Sequence, residues 1–378
     1  MSHLKLSAVD KFYGSVHAAR AIDFEVEKGE IIALLGSSGC GKTTTLRMVA
    51  GFEEVSAGTI SLAGREVHRL PPVKRNVAMA FEGYSLYPTV TVRENVAFAL
   101  KAARLPAEEV DRRVRDVAEM LEISDILGRY PTSISGGQQQ RASLARALVR
   151  DADLHLLDEP MGQLEPQLRT LLRGRIKHFI KERGLTAILV THDQTEANAL
   201  ADRIAVMEGG VLQQYASPAE IKERPANLFT GAFVGEPPMN VFPATAEAGD
   251  GAIRLNLGGG TELRYAEADF APAVRERMLS HGKVVLGVRP YAVRRAETGA
   301  GAGAGAGTGA VAVVTVNQWL GDQSHVAASF AGASMVFVEH DRAPLAPGDR
   351  IALHLSPDDL HLFDPATGAA ISHGARPA

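Results

Sequence analysis

Cysteine is almost absent: Cys40 is the single one in 378 residues, which excludes a disulfide framework and a thiolate metal cluster. Long apolar runs are missing too. No stretch approaches the roughly 18–20 apolar residues that a membrane-crossing helix needs, and residues 1–14 lack the apolar core of a secretory signal. The expectation is a cytosolic protein whose attachment to any membrane comes through a partner. Neither charge is in large excess. With 40 Lys and Arg against 44 Asp and Glu, the formal net charge is −4, so the basic footprint of a nucleic-acid binder is lacking.

What is present fits a globular chain: 46% hydrophobic and 22% charged residues. The length exceeds one ordinary domain and suggests two of unequal size. From residue 4 to about 235, short apolar runs alternate with longer amphipathic stretches, the pattern of an α/β domain. The runs 31–35, 154–157 and 186–190 read as buried parallel strands, and 107–127 and 138–150 have helical spacing. After Pro237 and Pro238 the character changes. Short β-like segments at 254–257, 284–288, 311–316, 335–339 and 350–355 suggest a small all-β barrel. The run 299–310 is nearly pure Gly and Ala and reads as a flexible loop.

Gly36-Ser37-Ser38-Gly39-Cys40-Gly41-Lys42-Thr43 matches the phosphate-loop pattern, with strand 31–35 leading in and a helix starting at Thr44. The glycines let successive backbone N–H groups turn inward around phosphates, and the helix N-terminus adds partial positive charge. In this pattern Lys42 reaches the β- and γ-phosphates and the Thr43 hydroxyl ligates Mg²⁺. Far down the chain, the apolar strand 154–157 ends in Asp158 and Glu159. Asp158 is placed to hold the Mg²⁺ shell, and Glu159 to orient or deprotonate an attacking water. Cys40 lies inside the loop, so its thiol is expected to be shielded by nucleotide; the alternative is a buried thiol that no reagent reaches.

Ser135-Gly136-Gly137-Gln138-Gln139-Gln140-Arg141 closely resembles the signature motif of ATP-binding cassette (ABC) proteins. The resemblance implies an α/β P-loop NTPase cassette over 1–235, with a helical signature subdomain at about 88–150. An OB-like accessory β domain over 236–378 would follow, as in the maltose and sn-glycerol-3-phosphate type of carbohydrate importer. The likeness there lies in Gly235-Glu236-Pro237-Pro238-Met239-Asn240, Leu286-Gly287-Val288-Arg289-Pro290 and 358–364. In this family the residues Ser135, Gly136, Gly137 and Gln138 cap the ATP of a partner subunit, so a second cassette is implied. Tyr13 resembles the aromatic that stacks on adenine, and His192 the switch histidine at the γ-phosphate. The ATP-binding set thus comprises Tyr13, residues 36–44 including Thr44, and the signature residues; the metal set is Thr43, Glu82 and Asp158; Lys42, Glu159 and His192 are the catalytic candidates.

Two departures stand out. Glu82 occupies the position where the family has Gln, which adds a negative charge to the site, and Glu165 replaces an Asp at the dimer interface. They are compatible with a pair of unlike cassettes or with neutral drift. The segment 81–87 with Pro88, through Tyr84, Leu86 and Tyr87, is expected to line a groove for a short helix of a membrane partner. The implied function is ATP hydrolysis driving import of a sugar or polyol, with ATP and Mg²⁺ as cofactors. The implied partners are two membrane-spanning permease subunits, an extracytoplasmic binding protein and a like or paralogous second cassette, at the cytoplasmic face of the inner membrane. Polyamine, iron or inorganic-anion uptake by the same machine, a soluble cassette acting on DNA or ribosomes, and a chiefly regulatory role are the alternatives. The acidic balance and the lack of a basic insertion weigh against the soluble cassette.

Overall fold

The computed structural model describes residues 2–296 and 310–377. The Gly/Ala run at 299–310 lies outside them, apart from Ala310, which begins a strand. The chain divides into two compact units, Met1–Pro218 and Ala219–Ala378.

The first unit opens with β1 (Leu4–Tyr13), β2 (Val16–Val26), β3 (Ile31–Gly36), α1 (Lys42–Ala50), β4 (Ala57–Leu62), β5 (Arg65–Glu66) and β6 (Val77–Ala80). Three helices follow: α2 (Val92–Ala102), α3 (Ala107–Met120) and α4 (Gly136–Leu148). Then come β7 (Leu154–Asp158), α5 (Pro166–Glu182), β8 (Ala187–Thr191), α6 (Gln194–Leu200), β9 (Arg203–Glu208) and β10 (Val211–Ala216). One sheet has the order β2-β1-β4-β5, the other β10-β9-β3-β8-β7-β6. The second is parallel except for β10. Its strands β3, β7 and β8 are buried along their whole length, which is why they are continuous aliphatic runs instead of alternating ones. Leu4, Leu6 and Ile60 of the antiparallel sheet share a core with Leu34, Leu156 and Val190 of the parallel one.

Register decides where the loops meet. Val190 of β8 pairs with Leu34 on one side and with Asp158 on the other, so three parallel strands end level. At that carboxyl edge the loop 37–41, Glu159 and His192 emerge side by side, as ligand-binding loops do in open α/β sheets.

The helices are capped as their sequences dictate. Thr91 and Glu94 form a capping box on α2, and Ser135 and Gln138 one on α4; each satisfies orphan N–H groups of the first turn. The stretch expected as one helix over 107–127 is α3 followed by a short 3-10 turn at Ser124–Ile126. Glu122 takes a left-handed conformation, φ 52°, which a continuing helix cannot accommodate. Arg141 donates to the carbonyls of Leu121 and Glu122 and so satisfies the chain end there.

The second unit contains α7 (Pro218–Glu223, starting at the boundary), α8 (Leu228–Phe233), β11 (Asn240–Gly249), β12 (Ala252–Asn256), β13 (Glu262–Ala266), α9 (Pro272–His281) and β14 (Lys283–Val288). The rest is strand: β15 (Arg294–Arg295), β16 (Ala310–Trp319), β17 (Ser324–Phe330), β18 (Ala333–Glu339), β19 (Arg350–His354), β20 (Leu360–Phe363), β21 (Ala370–His373) and β22 (Arg376–Pro377). Two antiparallel sheets, β13-β12-β11-β14-β20-β21-β22 and β15-β19-β16-β17-β18, enclose one apolar core that takes Phe242 and Leu286 from the first and Val326 and Phe337 from the second. Asn240 links them: its side chain donates to the Val336 carbonyl and accepts from the Val336 N–H, both at 2.7 Å. Each β-like segment read from the sequence falls within or overlaps a strand. The helix α9, which places Val274 and Met278 one turn apart in the core, is an addition to the expected β domain.

The unit boundary lies upstream of the one expected at residue 235. The cause is the segment 219–235, whose backbone is held by the second unit. The buried Arg289 guanidinium donates to the carbonyls of Lys222, Gly231 and Val234, and Leu228 N–H donates to Gly368 O at 2.8 Å.

Candidate functional site

The loop between β3 and α1 owes its shape to two close approaches. Gly41, the N-cap of α1, has φ 101°, and a Cβ there would stand 2.5 Å from the Ala18 carbonyl; only glycine fits. A Cβ on Gly36 would stand 2.2 Å from the Met207 carbonyl. Lys42 folds back into the loop, donating to the carbonyls of Gly36 and Ser37, both at 2.8 Å. Its ammonium is thereby held at the loop centre, where phosphate oxygens would replace carbonyl ones. Ser37 donates to Glu208 at 2.8 Å. Cys40 departs from the expectation of a shielded but reachable thiol. Its side chain is 2% exposed and packs in the core of the first unit, and burial pushes the thiol pKa up. The thiol lies beneath the loop, where it accepts from Lys42 Nζ at 3.7 Å.

Opposite the loop, β7 ends in Asp158, buried at 3% exposure. The Thr43 hydroxyl donates to it at 3.4 Å. Burial, reinforced by the nearby Glu82 carboxylate, pushes the Asp158 carboxyl up to about 6. Such a crowd of oxygen ligands with one acid held above its usual range is what a hard divalent cation relieves. Glu159 follows in the left-handed region, φ 48°, a strained conformation that the surroundings must enforce. Its N–H donates to Val190 O at 3.0 Å, and its carbonyl accepts from Gln140 Nε2 at 2.8 Å. The Glu159 carboxylate contacts His192 Nδ1 at 3.0 Å. Ser38, Gly39, Lys42, Thr43, Glu82, Glu159 and His192 all line one cleft of about 420 Å³.

Other expected residues lie apart from that cleft wall. Tyr13 ends β1, is 43% exposed, and has Lys11 Nζ 4.7 Å from its ring centroid. Burial, then a hydrogen bond with Glu53, raises its phenol pKa, and Thr44 touches the same hydroxyl. Ser135, Gly136, Gly137 and Gln138 form the first turn of α4 and its cap; they are not among the cleft residues. Glu165 is the exposed N-cap of α5.

Two residues of the site carried no role in the sequence reading. Gln140 is buried, bridges the Glu159 carbonyl and the Gln163 N–H (2.8 and 2.9 Å), and lines the cleft. Its signal was its place inside the quoted signature run. Glu196 is buried at 2% exposure, pushed up to about 7 by burial, and accepts from the Thr191 hydroxyl at 2.8 Å, one residue from His192. A lone Glu inside a short helix offers no sequence signal.

A family model described as ABC transporter matches residues 19–162, and one described as TOBE domain matches 286–363. The sn-glycerol-3-phosphate import ATP-binding protein UgpC of Cereibacter sphaeroides is 40% identical, over 97% of this chain and 99% of its own length. The chain belongs to the ABC transporter family. It is an ATP-binding, ATP-hydrolysing subunit of that family, and the segment that matches the ABC transporter model lies within the first unit. The trehalose/maltose import ATP-binding protein MalK of Thermococcus litoralis is 39% identical, over 98% of this chain and 100% of its own. The trehalose import ATP-binding protein SugC of Mycobacterium tuberculosis is 42% identical over 78% and 74%. Among solved structures, the dimeric post-hydrolysis state of the ATP-binding cassette MJ0796 bound to ADP and Pi aligns with a TM-score of 0.53 at 26% identity, covering 57% of this chain and 98% of that one. Among the described residues no helix is long and apolar enough to cross a membrane.

Proposed function

We propose that the chain hydrolyses MgATP to power import of a sugar or polyol through a membrane-spanning permease, at the cytoplasmic face of the membrane. The observation that carries the chemistry is the convergence of the phosphate loop and the Glu159–His192 pair on one cleft. Lys42 and the loop N–H groups bind the phosphates. Thr43, Asp158 and Glu82 would hold Mg²⁺, which when bound would neutralise phosphate charge. Glu159 accepts the proton of the attacking water, and its contact with His192 fixes both side chains beside the γ-phosphate position. Ser135 and the glycines of α4 offer N–H groups to the nucleotide of a second cassette, so two subunits are needed for turnover. The cargo class rests on the import proteins that the chain resembles along nearly its full length.

The exposed pair Tyr87 and Phe98, ring centroids 5.1 Å apart, supports the 81–88 segment as the place where a permease helix docks. The test is Glu159→Gln, which keeps shape but removes the base: MgATP binding persists and turnover falls at least about 100-fold. Near-normal turnover would refute the assignment. Lys42→Ala weakens nucleotide binding itself.

A further inference from the structure

The segment between Glu82 in the cleft and Tyr87 on the surface is held in an unusual way. Tyr84 and Ser85 are adjacent non-glycine residues in the left-handed region, φ 61° and 50°. Such a conformation persists only where neighbours enforce it. The enforcing group is Arg146 of α4. Its Nη1 donates to Ser85 O at 2.7 Å and its Nη2 to Tyr84 O at 3.1 Å, so one guanidinium fork grips the carbonyls of both strained residues. The same guanidinium lies 5.7 Å from the Tyr87 ring centroid, within cation–π range. At the other end of α4 the Tyr84 hydroxyl stands 3.4 Å from where a Cβ on Gly136 would lie. The loop is therefore hydrogen-bonded to the signature helix near its last turn and lies against its first.

We infer that Arg146 is a positioning residue that locks the 82–87 loop to helix α4, so that displacement at Tyr87 or Glu82 is passed to Ser135–Gln138 as movement of a rigid element. Arg146 touches no cleft residue in the network described and acts only through the loop. The inference rests on the reading of α4 as the turn that closes on a second cassette's nucleotide. Planar, two-pronged donation is what the geometry uses, so Lys, a single point charge, replaces it poorly.

The test is hydrogen exchange by mass spectrometry on the full chain, together with ATPase kinetics, for Arg146→Met and Arg146→Lys. In Arg146→Met, exchange of residues 83–88 speeds up at least tenfold while the β3, β7 and β8 amides stay protected. The kcat for ATP falls about tenfold with KM within twofold, because binding is intact and closure of the signature turn is not. Arg146→Lys falls between the two, and it carries the test if the Met variant does not fold. Unchanged exchange at 83–88, an unchanged kcat, or loss of protection spread over the whole first unit would each overturn the inference. Glu159→Gln is run in parallel. If it hydrolyses ATP normally the functional reading fails, whereas the exchange result still judges the role of Arg146.

Discussion

Arg75→Met is the substitution whose consequence can be worked furthest. Arg75 is 2% exposed and spends its donors on four backbone carbonyls: Leu70 at 2.7 Å, Met48 at 2.6 Å, Val49 at 3.0 Å and His68 at 2.9 Å. Met48 and Val49 are in the last turn of α1, where carbonyls have no partner within the helix and a cation is favoured by the dipole. Gly51 makes room, since a Cβ there would stand 2.6 Å from Arg75 Nε. Methionine fills similar volume and donates nothing. The Gly51 N–H still reaches Met48 O at 3.3 Å, so the carbonyls of Val49, Leu70 and His68 are the ones put at risk. Stranding a buried carbonyl costs about 1–3 kcal/mol, and relief from desolvating a guanidinium returns several. A net loss of about 3 kcal/mol is expected, or roughly 6–12 °C for a unit of this size. Calorimetry measures it, with the emission of the only tryptophan, Trp319, reporting the second unit as an internal control. An unchanged or raised melting temperature for the first unit would show that desolvation balances the four bonds, and that Arg75 does not anchor the phosphate-loop helix.

Two further outcomes follow from buried groups. Cys40 reacts slowly with a bulky maleimide in the folded chain, at a rate that MgATP does not protect directly, and reacts fast in denaturant; rapid labelling of the native chain would contradict its burial. His361 and His373 meet Nδ1 to Nδ1 at 3.0 Å, and burial first, then neighbouring positive groups, pulls them down to about 3 and about 4. The unfolded chain therefore binds more protons below its ordinary histidine pKa, so the second unit loses stability as pH falls from about 6.5 towards 4. His361→Phe should flatten that slope in calorimetric melts, and a slope that survives would assign the effect to other groups.

Much of the site was legible because its chemistry demands contiguous residues. A phosphate loop needs glycines, a lysine and a threonine within eight positions, and the buried strands 31–35 and 154–157 needed only their aliphatic runs. What escaped notice depends on groups brought together by tertiary packing. Gln140 reaches the Glu159 carbonyl from another element. Arg146 sits 61 positions from the Ser85 carbonyl it holds. The inward-turned Cys40 thiol uses the space beside Gly36, where a Cβ would stand 2.6 Å from its Sγ, which no spacing rule reveals. The early unit boundary has the same origin, since Arg289 claims carbonyls that precede it by 55 to 67 positions.

With nucleotide seated in the cleft as proposed, the level ends of β3, β7 and β8 also make it a ligand of the folded first unit. Thr43 and Asp158 meet across 115 positions, so no short fragment of the chain holds both halves of the cleft. Anything that binds only the assembled edge shifts the folding equilibrium by mass action, about 2.7 kcal/mol at a hundredfold excess over Kd. The second unit, with its own core, receives none of that gain directly. In a cell poor in ATP, proteases that capture unfolded chain would therefore meet the cassette open more often, and the abundance of this subunit would follow the supply of the nucleotide it consumes.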